Sequence, residues 1–244
     1  MSQRGPVPSR QDAPHPHEAL LDPTGSFILL PDLGADIIRI YSVARNTGAL
    51  TSCANYTATA GSGPRHGSFF VPNAGTTAGT TLYIGNELSN TISSFAVTYT
   101  GSCLSLALTK TIAPYPNGQI PAATTRNGVK VGEVHVAGNT LLTSNRADNS
   151  FGSNLDSIAQ FDINPSTGEF SFNKITSAFG SYPRTFVVNK AGTFVAIGNQ
   201  NSGSVAIVKR DPATGALGEL VASASVGSTG NDGNGGMNSV TWME

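Results

Sequence analysis

Short apolar runs separated by polar turns recur along the chain, and no window of useful length carries the 3.6-residue spacing of an amphipathic helix. Four runs share one layout: DIIRIYSV from Asp36, NTISSFAV from Asn90, DSIAQFDI from Asp156 and GSVAIVKR from Gly203. Their third positions hold Ile38, Ile92, Ile158 and Val205, and their sixth hold Tyr41, Phe95, Phe161 and Val208. A Thr-Gly pair follows each run, at Thr47-Gly48, Thr100-Gly101, Thr167-Gly168 and Thr214-Gly215. The glycines lie 53, 67 and 47 residues apart and the third positions 54, 66 and 47, so two markers agree to within one residue. That agreement predicts a structural repeat.

Each repeat holds more than one strand. FILLPD, LYIGNE, LLTSNR and FVAIGNQ precede the four runs, and EALLD, GSFFV, EVHVA and TFVVN precede those. A more variable run follows each Thr-Gly turn. Four short strands at a period of about 45 residues is the pattern of β-propeller blades. The expected fold is therefore all-β: one propeller domain over 1–244, with four-stranded blades near 14–60, 61–116, 117–180 and 181–227. A lone strand over 235–242 would begin a fifth blade. The insertions NAGTTAGT, GQIPAATTRNG and SFGSN lengthen the second and third repeats and belong in loops at blade edges.

Composition supports a turn-rich sheet protein. Only 12% of residues are charged and 39% hydrophobic, while 28 Gly and 14 Pro supply turns. So little charge disfavours coiled coils and long surface helices. A net charge of −1 leaves no basic field for nucleic acid, and no run of about 18 apolar residues offers a membrane span. The N-terminal MSQRGPVPSRQDAPHP lacks the apolar stretch of a signal peptide. As it stands the chain reads as cytoplasmic, with a secreted parent as the alternative. Cys53 and Cys103, the only cysteines, fall near the outer strands of consecutive repeats. They are either two unrelated thiols or a disulfide made in an oxidising compartment. Asn55-Tyr56-Thr57 is the only glycosylation sequon.

Antiparallel pairing sets the head of a blade's first strand beside the tail of its second. The expected heads are His15-Pro16-His17, Pro64-Arg65-His66, Glu133-Val134-His135 and Pro183-Arg184, and the expected tails are Asp32, Glu87, Arg146 and Gln200. All four histidines and several of the 14 Lys and Arg would then gather at one mouth. Some of these residues have plainer readings. Asp32 suits a backbone-bonding turn residue, His66 a neighbour packed beside Arg65, and Arg146 a structural ion pair with Glu133 or Asp148. His15 and His17 have metal-ligand spacing, yet no clear set of further ligands surrounds them, so no metal is expected. Arg65 and Arg184 are hardest to explain plainly, because a buried guanidinium needs an anion.

PHPHEALLDPTG, PDLGAD, GPRH, the NEL of Asn86-Glu87-Leu88, SNR and YPRT, in this order, resemble the cycloisomerase-2 group of seven-bladed propellers. That group includes 6-phosphogluconolactonases and fungal carboxy-cis,cis-muconate lactonizing enzymes. The resemblance runs from about Pro14 to Trp242 and implies an N-terminally truncated member lacking about 120 residues. It implies His17, Arg65, Glu87 and Arg184 as active-site residues and no cofactor, while the expected mouth adds His15, His66, Asp32, Glu133, His135 and Arg146 as substrate contacts. The implied partner is a small anionic lactone or muconate. Hydrolysis would use His17 or Glu87 to activate water while an arginine holds the oxyanion, whereas lactone formation would add a substrate carboxylate to an alkene. A non-catalytic interaction platform and an inactive truncated product are the competing readings. An open arc of blades would self-associate through exposed edges.

Overall fold

The apolar runs become strands almost where the pattern places them. The computed structural model describes residues 5–73, 75–122, 128–231 and 234–244, so residue 74 of NAGTTAGT and residues 123–127 of GQIPAATTRNG lie outside the described residues. Clustering of contacts divides the chain into two compact units.

The first unit comprises the described part of Met1–Ile112 together with Asn164–Glu169. Its first sheet contains β1 (Leu20–Leu21), β2 (Phe27–Asp32), β3 (Ile37–Val43), β4 (Leu50–Ser52) and β5 (Tyr56–Thr57). These run β1-β2-β3-β4, and β5 also pairs with β3, so the outermost strand is one strand broken in two. Its second sheet is β6 (Pro64–Phe70), β7 (Thr81–Asn86), β8 (Thr91–Thr100) and β9 (Cys103–Ile112), in sequence order. The second unit, Ala113–Ile163 with Phe170–Glu244, holds two more such meanders. One contains β10 (Lys130–Ala137), β11 (Thr140–Arg146), β12 (Ser157–Ile163) and β13 (Phe170–Ser177). The other contains β14 (Pro183–Val188), β15 (Phe194–Asn199), β16 (Ser204–Arg210) and β17 (Leu217–Ser225). One 3-10 turn, Pro116–Gly118, is the sole helical element among the described residues.

Burial follows strand position. The second strands β7 and β11 are buried along their whole length, as continuous apolar runs covered on both faces require. The outermost β17 is exposed from its second residue onward. Two of the third-position residues sit in the cores: Ile38 packs with Phe27, Leu29, Leu82, Ile84 and Phe95 in the first unit. Ile158 packs with Leu142, Phe186, Val195 and Ile197 in the second. Each Thr-Gly turn places its glycine at positive φ, between 60° and 74°, where a side chain would be strained.

Two expectations resolve at the chain's edges. Cys53 and Cys103 form a disulfide with Cα atoms 5.9 Å apart, so the bridged alternative is the one realised. Cys53 lies in the break between β4 and β5, and its amide donates to the Ile40 carbonyl at 2.9 Å. The break lets the outer strand turn toward the start of β9, which bridges sheets whose rims would otherwise diverge. Residues 235–242, in contrast, form no strand. A ladder needs a neighbouring strand, and this segment is held instead by the Trp242 indole donating to the Val187 carbonyl at 3.0 Å.

Candidate functional site

A bulge recurs at the head of each first strand and decides which side chains leave the sheet. In the second sheet Pro64 faces Asn86 while His66 faces Gly85, so Arg65 is the extra residue. In the fourth, Pro183 faces Asn199 and Thr185 faces Gly198, which makes Arg184 the extra residue. In the third, the shift lies between Val131 and Val134, placing Gly132 at the same step. In the first, Pro16 faces Asp32 but Leu20 faces Leu29, a one-residue offset that gives His17 this position. A bulge re-aims its side chain out of the alternating pattern. His17, Arg65, Gly132 and Arg184 are thus structural equivalents, as are Glu18, His66, Glu133 and Thr185.

The same register corrects one expected tail. Asp32 faces Ile37 on β3 as Asn86 faces Thr91, Asn145 faces Ser157 and Asn199 faces Ser204. Glu87, Arg146 and Gln200 stand one residue further on, where the first sheet has the fully buried Leu33. One residue of offset reverses the face a strand residue presents. Asp32 is 0% exposed; it accepts from the His15 and Ala35 amides at 2.8 and 3.1 Å and from Arg39 Nε and Nη2 at 3.0 and 2.7 Å. Its carboxylate thus ties two backbone amides and the Arg39 guanidinium together.

In the first unit the chemistry centres on Glu87. Arg65 Nε lies 2.8 Å from Glu87 Oε2, and both side chains are 1% exposed. Arg10 Nη1 pairs with the other oxygen, Oε1. Composition had singled out no role for Arg10. The His17 ring is 6.1 Å from that of His66, tilted by 59°, and the His17 amide donates to the Pro31 carbonyl at 3.0 Å. Glu18 Oε2 accepts from the Gly67 amide at 2.8 Å. His15 does not join them: its ring is exposed, with Nε2 3.1 Å from Asp12 Oδ1.

In the second unit Arg146 is 2% exposed. Its Nη2 donates to the Val131 carbonyl at 2.7 Å and its guanidinium lies 5.1 Å from the centre of the Tyr182 ring, a cation–π contact. Gly132 makes room for it, since a Cβ there would stand 3.2 Å from Arg146 Nε and 2.5 Å from Ser144 Oγ. Half-buried Arg184 donates from Nη1 to Gln200 Oε1 at 3.4 Å, a long contact. Glu133 is half-buried and its amide donates to Ser144 Oγ at 2.8 Å. His135 is a correction. It faces Leu142 within the ladder and sets its ring edge-on to Phe186 at 6.4 Å, deeper along the strand than a head residue. Burial pushes its pKa down; the Glu133 charge opposes this and the Arg210 charge adds to it.

Two aspartates that begin the strand-like runs position the bulges. Asp36 accepts from the Gly61 and Gly63 amides at 2.6 and 2.8 Å and from Gln11 Nε2 at 2.7 Å. Asp156, 0% exposed, accepts from the Ala147, Asn149 and Tyr182 amides at 2.9, 2.9 and 2.6 Å. Gly63 and Tyr182 each stand two residues before a bulged arginine, and both adopt positive φ, 63° and 62°. A tyrosine holds that conformation only where its surroundings over-determine it. The equivalent of Asp36 in the second sheet is Asn90, and the bulge that follows it is Gly132, which has no side chain to aim. The signal was present in the sequence: aspartate opens the two runs that precede PRH and YPRT, and not the other two.

Asp148 sits beside this system, 3% exposed, accepting from Ser150 and Ser157 hydroxyls at 2.7 and 2.5 Å. Burial, aided by the Asp156 charge, pushes its pKa up to about 6 from 3.8, against the lowering effect of the serine bonds. The folded carboxyl therefore keeps a proton that the unfolded chain has lost, so stability falls as pH rises from 3.8 to about 6 and then levels. Asp148→Asn should gain on the order of 1–3 kcal/mol over the parent at neutral pH and gain nothing below the unfolded pKa. Urea midpoints at both ends of this window measure it; an equal gain at both would remove the carboxyl's titration as the cause.

Residues 1–231 match the family model described as Lactonase, 7-bladed beta-propeller. The "Probable 6-phosphogluconolactonase" of Arthroderma benhamiae is 35% identical over 217 residues, covering 88% of this chain and 52% of that protein. The 6-phosphogluconolactonase of Bacillus subtilis is 29% identical over 219 residues, covering 89% and 56%. Among solved structures, the periplasmic gluconolactonase of Pseudomonas aeruginosa superposes with a TM-score of 0.74 at 29% identity, covering 91% of this chain and 57% of its own. The chain thus spans about half the length of the curated relatives it matches.

Proposed function

The chain belongs to the seven-bladed β-propeller lactonase family, and from that premise we propose that its protein hydrolyses a small anionic sugar lactone such as 6-phosphogluconolactone. The observation that carries this reading is the recurrent bulge, which turns His17, Arg65 and Arg184 out of their ladders at one equivalent step. A scaffold that only binds partners has no need of cationic and imidazole side chains at that step. Relatives named for lactonase activity support hydrolysis over formation of a lactone from a muconate.

In the first unit, both Glu87 oxygens are engaged by guanidiniums, which leaves His17 as the group to move a proton. His17 would take a proton from water as the oxygen attacks the lactone carbonyl, then return it to the ring oxygen as the C–O bond breaks. The product is the open hydroxy acid. Arg65, 1% exposed, acts through Glu87 rather than on substrate. In the second unit, Arg184 is a cation suited to binding a phosphate. Asp32, His15 and His135 take no part in this reading.

Arg184→Ala tests it. The KM for the phosphorylated lactone should rise by roughly tenfold or more, with a much smaller change for the uncharged gluconolactone. His17→Ala should instead lower kcat with little change in KM. Equal losses on both lactones would remove Arg184 from anion binding, and unchanged turnover in His17→Ala would end the proton-transfer role.

A further inference from the structure

We infer that Asn55 is an N-glycan acceptor on the outer strand of the first sheet, and that the chain matures where disulfides form. Three features meet at this one segment. Asn55-Tyr56-Thr57 is the only sequon in the sequence. Asn55 falls in the break between β4 and β5, outside the ladder, and is exposed along with Thr57. Tyr56 between them turns inward, its ring edge-on to Phe95 at 4.9 Å and 74°. Strand alternation then sends Asn55 and Thr57 to the solvent side together, where an oligosaccharide meets no part of the fold.

The third observation is the disulfide two residues upstream. The bridge of Cys53 to Cys103 marks a chain that folds under oxidising conditions, the setting in which glycans are transferred to asparagine. The two features also cooperate. The bridge and the Tyr56 contact pin both ends of the break, so a mobile glycan can be carried there without loosening the sheet. The sheet order puts β2 and β3 between the His17 segment and this strand, three strand spacings or about 14 Å.

The test is to produce the chain behind a cleavable secretory leader in yeast or insect cells and compare its mass before and after peptide-N-glycosidase F. Expected is a heterogeneous upward mass shift that collapses on digestion, leaving aspartate at position 55. Asn55→Gln and Thr57→Ala should each abolish the shift while leaving Cys53–Cys103 bridged on non-reducing peptide maps. Material retained inside the cell is assayed equally well, by its sensitivity to endoglycosidase H. Unmodified Asn55 in chains whose disulfide has formed, or a shift that survives both substitutions, overturns the inference.

Discussion

Glu87→Ala should cost roughly 3–5 kcal/mol of stability, because it strips the counter-charge from a buried guanidinium. Arg65 and Glu87 are each 1% exposed and 2.8 Å apart, so water cannot replace the lost carboxylate. Arg10 adds a second positive charge, paired with Glu87 Oε1. The large loss would measure the isolated charge and not the worth of the pair. Changing both partners together, Arg65→Met with Glu87→Leu, should therefore be far milder than the sum of the single changes. Urea denaturation with a constant m-value reads both results. A single Glu87→Ala loss below about 1 kcal/mol would place the pair in a solvated setting instead.

The repeat was legible because it rests on local rules. FILLPD is β2 to the residue, and the four third-position residues Ile38, Ile92, Ile158 and Val205 all lie on the third strand of their sheets. Thr-Gly turns were legible for the same reason, since a positive φ favours glycine wherever it occurs. The misplacement of Asp32 arose from matching tails by their chemistry. Counting back six residues from Ile38, Ile92 and Val205 gives Asp32, Asn86 and Asn199, the ladder equivalents the structure shows. The loop between Arg146 and Asp156 breaks that count in the third repeat, where Arg146 nonetheless stands at the same step as Glu87 and Gln200. Placing His135 at a head had a similar cause: Gly132 is the equivalent of Arg65, so His135 stands three residues past the bulged position, where the second sheet has Ser68.

What the sequence concealed are contacts between segments distant along the chain. Arg10 lies in a stretch that reads only as polar and proline-rich, and its partner is 77 residues away. The pairing of Cys53 with Cys103 depends on a break in one outer strand that no periodicity marks, because Cys53-Ala54-Asn55 between two short strands contains no glycine or proline to signal it. The segment 235–242 failed as a strand for the converse reason. Its apolar pattern suits a first strand, but strand formation depends on a partner, which the pattern of one segment does not supply.

Asp156→Ala should lower stability by about 3–5 kcal/mol, since three amide donors, two of them buried, lose a charged acceptor. The amides of Ala147, Asn149 and Tyr182 all converge on its carboxylate, and Asp156 itself is 0% exposed. Part of the loss is offset at Asp148, whose ionisation Asp156 disfavours; its pKa should move down toward 3.8 in the variant. Asp156→Asn, which keeps an acceptor but adds a donor in place of an oxygen, should fall between parent and alanine. The consequence for the site comes through Tyr182. Released from Asp156, a tyrosine at φ of 62° relaxes toward ordinary backbone, and the bulge two residues later loses its anchor. Arg184 would then be aimed less well, so KM for an anionic lactone should rise several-fold while kcat changes less. Chemical denaturation, an NMR titration of Asp148 and steady-state kinetics test the three parts separately. A destabilised variant with unaltered KM would make Asp156 a latch for the fold alone, with no part in positioning Arg184.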